Sequence, residues 1–267
     1  MSGETMAGLY RRLGKSKTQM MDNYQTITKQ KESQQPGKAK TLLLFIATLI
    51  LGFAFFVLPN VFFGVSKAGG GIIGINLLYM ALFQVITLLP LLYLSLRMLG
   101  MRWRDIGLVC REPKRDVLLG LGIGLLWTAL QFLFLIPATG GAARPDVAQM
   151  LSMMDGTVLG ILSYIALGVI GGGITEEIYF RGYIIGVLPR VFSNHKTGLW
   201  VGALFSILFF AIGHLPTDAL GWFDILVPSI AYTLIFLRTG SLAAPIIAHG
   251  LYNTLAILLT WYMYYPG

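Results

Sequence analysis

Long apolar stretches alternate along this chain with short polar connectors. The apolar stretches run over about Thr41–Phe63, Ile72–Leu96, Val117–Ile136, Thr157–Pro189, Gly198–Ile212, Gly221–Leu237 and Leu242–Tyr264. Each reaches or approaches the roughly 20 residues that cross a bilayer as a helix. The pattern predicts an all-α, polytopic transmembrane helix bundle of 7–8 spans. The fourth stretch leaves the number open, because it is too long for one straight crossing of a hydrocarbon core about 30 Å thick. It is expected to tilt, bend or break, with Gly171–Gly173 as the place. A break there would give an eighth span. Pro59 is placed to kink the outer end of the first span.

Composition agrees with this reading. The chain is 55% hydrophobic and 12% charged, with mean hydropathy +0.71, against about 25% charged residues in an ordinary soluble domain. The formal net charge of +8 does not imply a nucleic-acid partner, because most Lys and Arg flank the spans. That is the positive-inside distribution, reinforced by anionic lipid. It places the N-terminus, the 97–116 loop, the 190–197 connector and Arg238 in the cytoplasm. With seven spans the C-terminus is then outside. In the 97–116 loop, Met101–Leu108 reads as interfacial, with Trp103 at headgroup depth, and residues 137–156 read as a poorly basic loop. Trp261, Tyr262, Tyr264 and Tyr265 read as an interfacial aromatic belt.

Residues 1–40 are polar and basic and unlike a secretory signal, so they read as a cytoplasmic tail ahead of a transmembrane domain over 41–265. The single cysteine, Cys110, excludes an internal disulfide and a thiolate metal site and reads as a free thiol.

Inside the fourth apolar stretch lies Gly171-Gly172-Gly173-Ile174-Thr175-Glu176-Glu177-Ile178-Tyr179-Phe180-Arg181. On insertion scales three charges at a bilayer centre cost roughly 8–10 kcal/mol, so such a cluster reads as functional by default. At about 100° per residue, Arg181 lies about 40° round the helix from Glu177 but about 140° from Glu176. Glu177 and Arg181 are therefore expected to neutralise each other and hold the helix. Glu176 is expected to face another part of the bundle as an unpaired carboxylate suited to general-base chemistry. His214 ends the fifth span. His249 and Asn253, at i,i+4, share one face of the last helix and offer either an oxyanion clamp or half of a metal site. Interhelical packing is the plainer explanation for each of these taken singly.

Glu-Glu-x-x-x-Arg at 176–181, Phe-x-x-x-His at 210–214 and His-x-x-x-Asn at 249–253, in that order, resemble the three motifs of the CAAX protease and bacteriocin-processing family. These are intramembrane endopeptidases that include the CAAX prenyl protease 2 type. Phe180-Arg-Gly182 and Ala244-Pro-Ile-Ile-Ala-His249 are similar to its prokaryotic branch. The resemblance covers about residues 100–257.

It implies a multi-pass membrane protease, in a prokaryotic plasma membrane, acting on a membrane-associated or prenyl-type peptide. Glu176 and His214 would activate water, while His249 and Asn253 would stabilise the oxyanion. A zinc-dependent version would use Glu176, His214 and His249 as ligands. The sequence lacks dense ligand spacing such as His-Glu-x-x-His, which favours a cofactor-free glutamate mechanism. Two other classes stand beside this one: a non-catalytic immunity or scaffold protein, and a proton-coupled carrier using Glu176. No internal repeat of the transporter kind supports the latter. The implied site carries one geometric demand. With these spans His249 and His214 differ by roughly 13 Å in depth at 1.5 Å per residue, and the tertiary structure has to close that gap.

Overall fold

The computed structural model describes residues 36–109 and 111–266. The expectations of a basic tail before residue 36 and of a free thiol at Cys110 fall outside the described residues. From Lys38 onward the described chain is helical, with α1 over Lys38–Ser66, α2 over Ile75–Met98, α3 over Pro113–Ala138 and a short α4 over Pro145–Ser152. Then follow α5 over Val158–Arg190, α6 over His195–Gly213, α7 over Ala219–Thr239 and α8 over Ala243–Tyr264. Among the described residues seven helices, all but α4, are long and apolar enough to span a membrane.

The side chains follow lipid-facing logic. Leu43, Leu118, Leu126 and Val158, each about 70% exposed, are apolar, whereas the interior between helices carries the polar contacts. Thr48 bonds Ser95 (2.9 Å), Ser95 bonds the Tyr183 hydroxyl (2.7 Å), and Ser206 donates to the Phe180 carbonyl (2.8 Å). Helices surrounded by hydrocarbon gain little from burying apolar surface, so close packing and such bonds hold them together.

α8 is the central helix, packed between α3 and α5. Gly120 and Gly124 of α3 allow the approach. A Cβ at these positions would stand 2.7 Å from the Ala244 carbonyl oxygen and 2.9 Å from that of Ala248. On the other side Gly173 meets the backbone of Gly250, 2.9 Å from where a Cβ would sit. The glycine run thus serves the α5–α8 approach, and α5 does not break there. It continues as one helix whose turns widen to i→i+5 bonding over Leu167–Ile184. Side chains supply additional donors to carbonyls along that stretch: Asn253 to Gly168, Thr175 to Gly171 and Ser206 to Phe180. Widened turns of this kind recur at functional sites.

The packing of other segments is also visible. α1 runs on past Pro59 to Ser66. The 101–108 segment docks on protein. Met101 and Ile106 are buried, and Ile106 fills the space left by Gly182 and Gly186 of α5. Two residues of the aromatic belt are partly buried against protein. Trp261 and Tyr262 are exposed, but Tyr264 packs with Phe132 and Ile136, and Tyr265 with Met154 and Ile161. The loop expected at 137–156 carries α4, started by Pro145 in the first turn and Asp146 beside it.

Candidate active site

α5 and α8 position the charged residues. The Glu177 carboxylate, fully buried, accepts from Arg181 Nη1 at 3.0 Å and from His249 Nδ1 at 2.8 Å through the same oxygen, Oε1. Arg181 is buried as well. Its Nη2 donates to Ser229 Oγ at 2.9 Å, and its guanidinium lies 4.4 Å over the Phe210 ring. Removing either member of such a pair would strand the other charge in the interior.

Glu176 differs in kind. Among the described residues it makes no hydrogen bond, its side chain is 19% exposed, and its Oε2 lies 4.0 Å from His249 Nε2. Glu176 turns toward α8 and the cavity it shares with His214, and the two glutamates approach the two nitrogens of one imidazole. In the widened turns of α5 a residue's cross-turn neighbours shift toward i+4 and i+5. The ordinary 100° wheel therefore overstates the angle between Glu176 and its neighbours.

On α8 the i,i+4 spacing of His249 and Asn253 aims both at Gly172. A Cβ on Gly172 would sit 2.5 Å from Asn253 Nδ2 and 3.4 Å from His249 Nε2. Asn253 Nδ2 also donates to the Gly168 carbonyl at 2.9 Å, which commits one of its two protons and leaves the other. The His249 ring stacks on Tyr232 (centroids 5.2 Å, planes 26° apart).

His214 follows the last residue of α6 and is more exposed than the others. Its Nδ1 lies 2.9 Å from the Phe210 carbonyl. A carbonyl only accepts, so Nδ1 carries the proton and neutral His214 presents Nε2 as an acceptor. The Phe210 ring is 4.3 Å from that of His214 and 6.2 Å from that of His249.

Glu176, His214, His249 and Asn253 line one cavity of about 310 Å³, together with Gln84, Met150, Tyr164 and Gly172. The two histidines expected to differ in depth both line this cavity, which also reaches Met150 of α4. A second, more apolar cavity of about 490 Å³ adjoins it between α1 and α6. Phe53, Phe56, Phe180 and Phe210 line it, and it shares Gln84, Glu176 and His214 with the first.

The sequence reading missed several residues here. Gln84 of α2 is 6% exposed, its Oε1 is buried without a partner, and it stands in the space a side chain at 171 would occupy. Ser229 and Tyr232 of α7 hold Arg181 and His249. A glutamine in the middle of an otherwise apolar span is a signal that could have flagged Gln84.

Among the described residues no three His, Cys, Asp or Glu side chains gather where one ion would reach them. Nδ1 of each histidine is engaged, by Glu177 and by the Phe210 carbonyl, which orients the ring and leaves Nε2 as the nitrogen without such a partner.

Comparison with known proteins adds two findings. Residues 158–255 match the family described as type II CAAX prenyl endopeptidase Rce1-like. The chain is also similar to a Bacillus subtilis (strain 168) protein described as "Putative membrane peptidase YdiL", 25% identical over 231 residues, which is 81% of this chain and 87% of that protein. No solved structure matches.

Proposed function

We propose, from the match of residues 158–255 to the type II CAAX prenyl endopeptidase Rce1-like family, that this chain is an intramembrane endopeptidase. It hydrolyses a peptide bond of a membrane-associated or prenyl-type substrate by glutamate-activated water. The observation that carries this reading is the contrast between two adjacent carboxylates. Glu177 is consumed by Arg181 and His249, whereas Glu176 is free of hydrogen bonds at the wall of a cavity.

Water held between Glu176 and the acceptor Nε2 of His214 gives a proton to Glu176, and its oxygen bonds to the substrate carbonyl carbon. The oxyanion is received by the second amide proton of Asn253 and by His249 Nε2–H. The C–N bond then breaks, and the proton taken by Glu176 passes to the departing amine nitrogen. No step needs a metal.

The test is cleavage of a membrane peptide library by wild type and by Glu176→Ala, reconstituted in lipid. Cleavage by the wild type and none by the variant is expected. Equal cleavage by both would end the proposal and return the chain to the non-catalytic class.

A further inference from the structure

The connectors between helices gather at two ends of the bundle, and the contacts show which belongs to which. At one end Arg190 donates to the Leu99 carbonyl (3.0 Å), Leu242 N to the Gly107 carbonyl (2.8 Å) and Lys38 to Ser193 (2.8 Å). At the other, Gly74 N meets the Met153 carbonyl (3.4 Å), and Arg144 pairs with Asp224 at the start of α7. The two ends differ sharply in charge. The first carries eleven Lys and Arg within the described helices and connectors: Lys38 and Lys40, six between Arg97 and Arg115, Arg190, Lys196 and Arg238. The second carries two, Lys67 and Arg144, and Arg144 is neutralised by Asp146 (2.6 Å) and Asp224. Basic residues in short connectors stay in the cytoplasm, each worth about 1 kcal/mol against an anionic leaflet, so an excess of nine fixes the orientation.

The cavity belongs to the sparsely charged end. Its wall takes Asn60 near the far end of α1, Gln84 in the first half of α2, Met150 of α4 and His214 just past α6. A polar cleft of about 270 Å³ lined by Arg144, Asp146, Gln149, Thr217 and Asp218 shares His214 with it, which connects it to the connectors of that end. We infer that the site opens toward the extracytoplasmic face, so that its substrate is a translocated, membrane-proximal peptide segment and not a cytoplasmic tail. This rests on the peptidase reading for the substrate, but the placement of the cavity does not.

Cys110 is the only cysteine of the chain, and three spans, α3, α5 and α6, separate it from Thr217. In intact cells a membrane-impermeant maleimide should leave native Cys110 unlabelled until the membrane is permeabilised. In a Cys110→Ser background, Gln149→Cys and Thr217→Cys, both exposed positions, should label without permeabilisation. With protein of one orientation in vesicles, the peptide that wild type cleaves should be cut only when added on the Thr217 side. Labelling of Cys110 in intact cells overturns the placement by itself, even if a cysteine variant fails to fold. Cleavage confined to the Cys110 side overturns the substrate assignment. Cleavage from neither side, with labelling as expected, overturns the peptidase reading and leaves the placement standing.

Discussion

Gly172→Ala separates the site's geometry from its stability. The added methyl would lie 2.5 Å from Asn253 Nδ2 and 3.4 Å from His249 Nε2, whereas ordinary contact is about 3.5–4.0 Å. Nδ2 must retreat by about 1 Å, which stretches its 2.9 Å bond to the Gly168 carbonyl past hydrogen-bond range. The lost bond costs about 0.5–1.5 kcal/mol net, and overpacking adds about 1–3 kcal/mol. Replacing glycine by alanine in a helix returns up to about 1 kcal/mol. The balance is a destabilisation of about 0.5–4.5 kcal/mol, below the roughly 5–15 kcal/mol that keeps an ordinary protein folded. Catalysis should suffer more. Displacing one oxyanion donor lowers turnover about 10²–10³-fold. The assay is kcat and KM on a cleaved peptide beside a thermal melt in the same lipid, with Gly122→Ala as control, since a Cβ there meets nothing within 4 Å. Turnover by Gly172→Ala within about threefold of wild type would refute the role given to Asn253 and its approach to α5.

Two further substitutions and one titration follow from the same contacts. Glu177→Gln removes the charge partner of a fully buried Arg181 and should destabilise by about 3–5 kcal/mol, read as an unfolding midpoint in detergent. Glu176→Gln, at a side chain without hydrogen bonds, should change that midpoint by less than about 1 kcal/mol while abolishing cleavage, so the two neighbours fail in opposite ways. Outside the spans, burial acts to raise the Asp146 carboxyl, but the hydrogen bond and charge of Arg144 outweigh it and hold the group below the usual 3.8. A group depressed by folding stabilises fully above its ordinary value and loses that contribution as pH falls through the folded one. Proteolytic sensitivity around α4 should therefore rise below about pH 4, and Asp146→Asn should show that sensitivity already at neutral pH.

Much of the fold was legible because its signals are local. Hydropathy over some twenty residues locates each helix to within a few positions, since a span's cost is set residue by residue in hydrocarbon. The Glu177–Arg181 pair follows from helix spacing alone, and so does the shared face of His249 and Asn253. The short α4 escaped because eight residues of mixed polarity in a connector carry little periodic signal.

What only the tertiary structure decided depends on how closely helices approach. Gly120, Gly124 and Gly173 let α3 and α5 grip α8, and that contact brings His249 between two glutamates 72 and 73 positions earlier in the chain. Gln84 enters the site because α2 packs against α5, a fact with no trace in the sequence around residue 84 beyond one polar side chain in an apolar helix. The widened turns of α5 re-aim Glu176 in a way that an ideal helical wheel does not anticipate. The sequence by itself therefore determined which segments cross the membrane and which of its few polar groups were too costly there to be incidental. Which partners they reach was decided by long-range packing: in hydrocarbon a polar group is defined by the partner it reaches, and these partners lie on other helices.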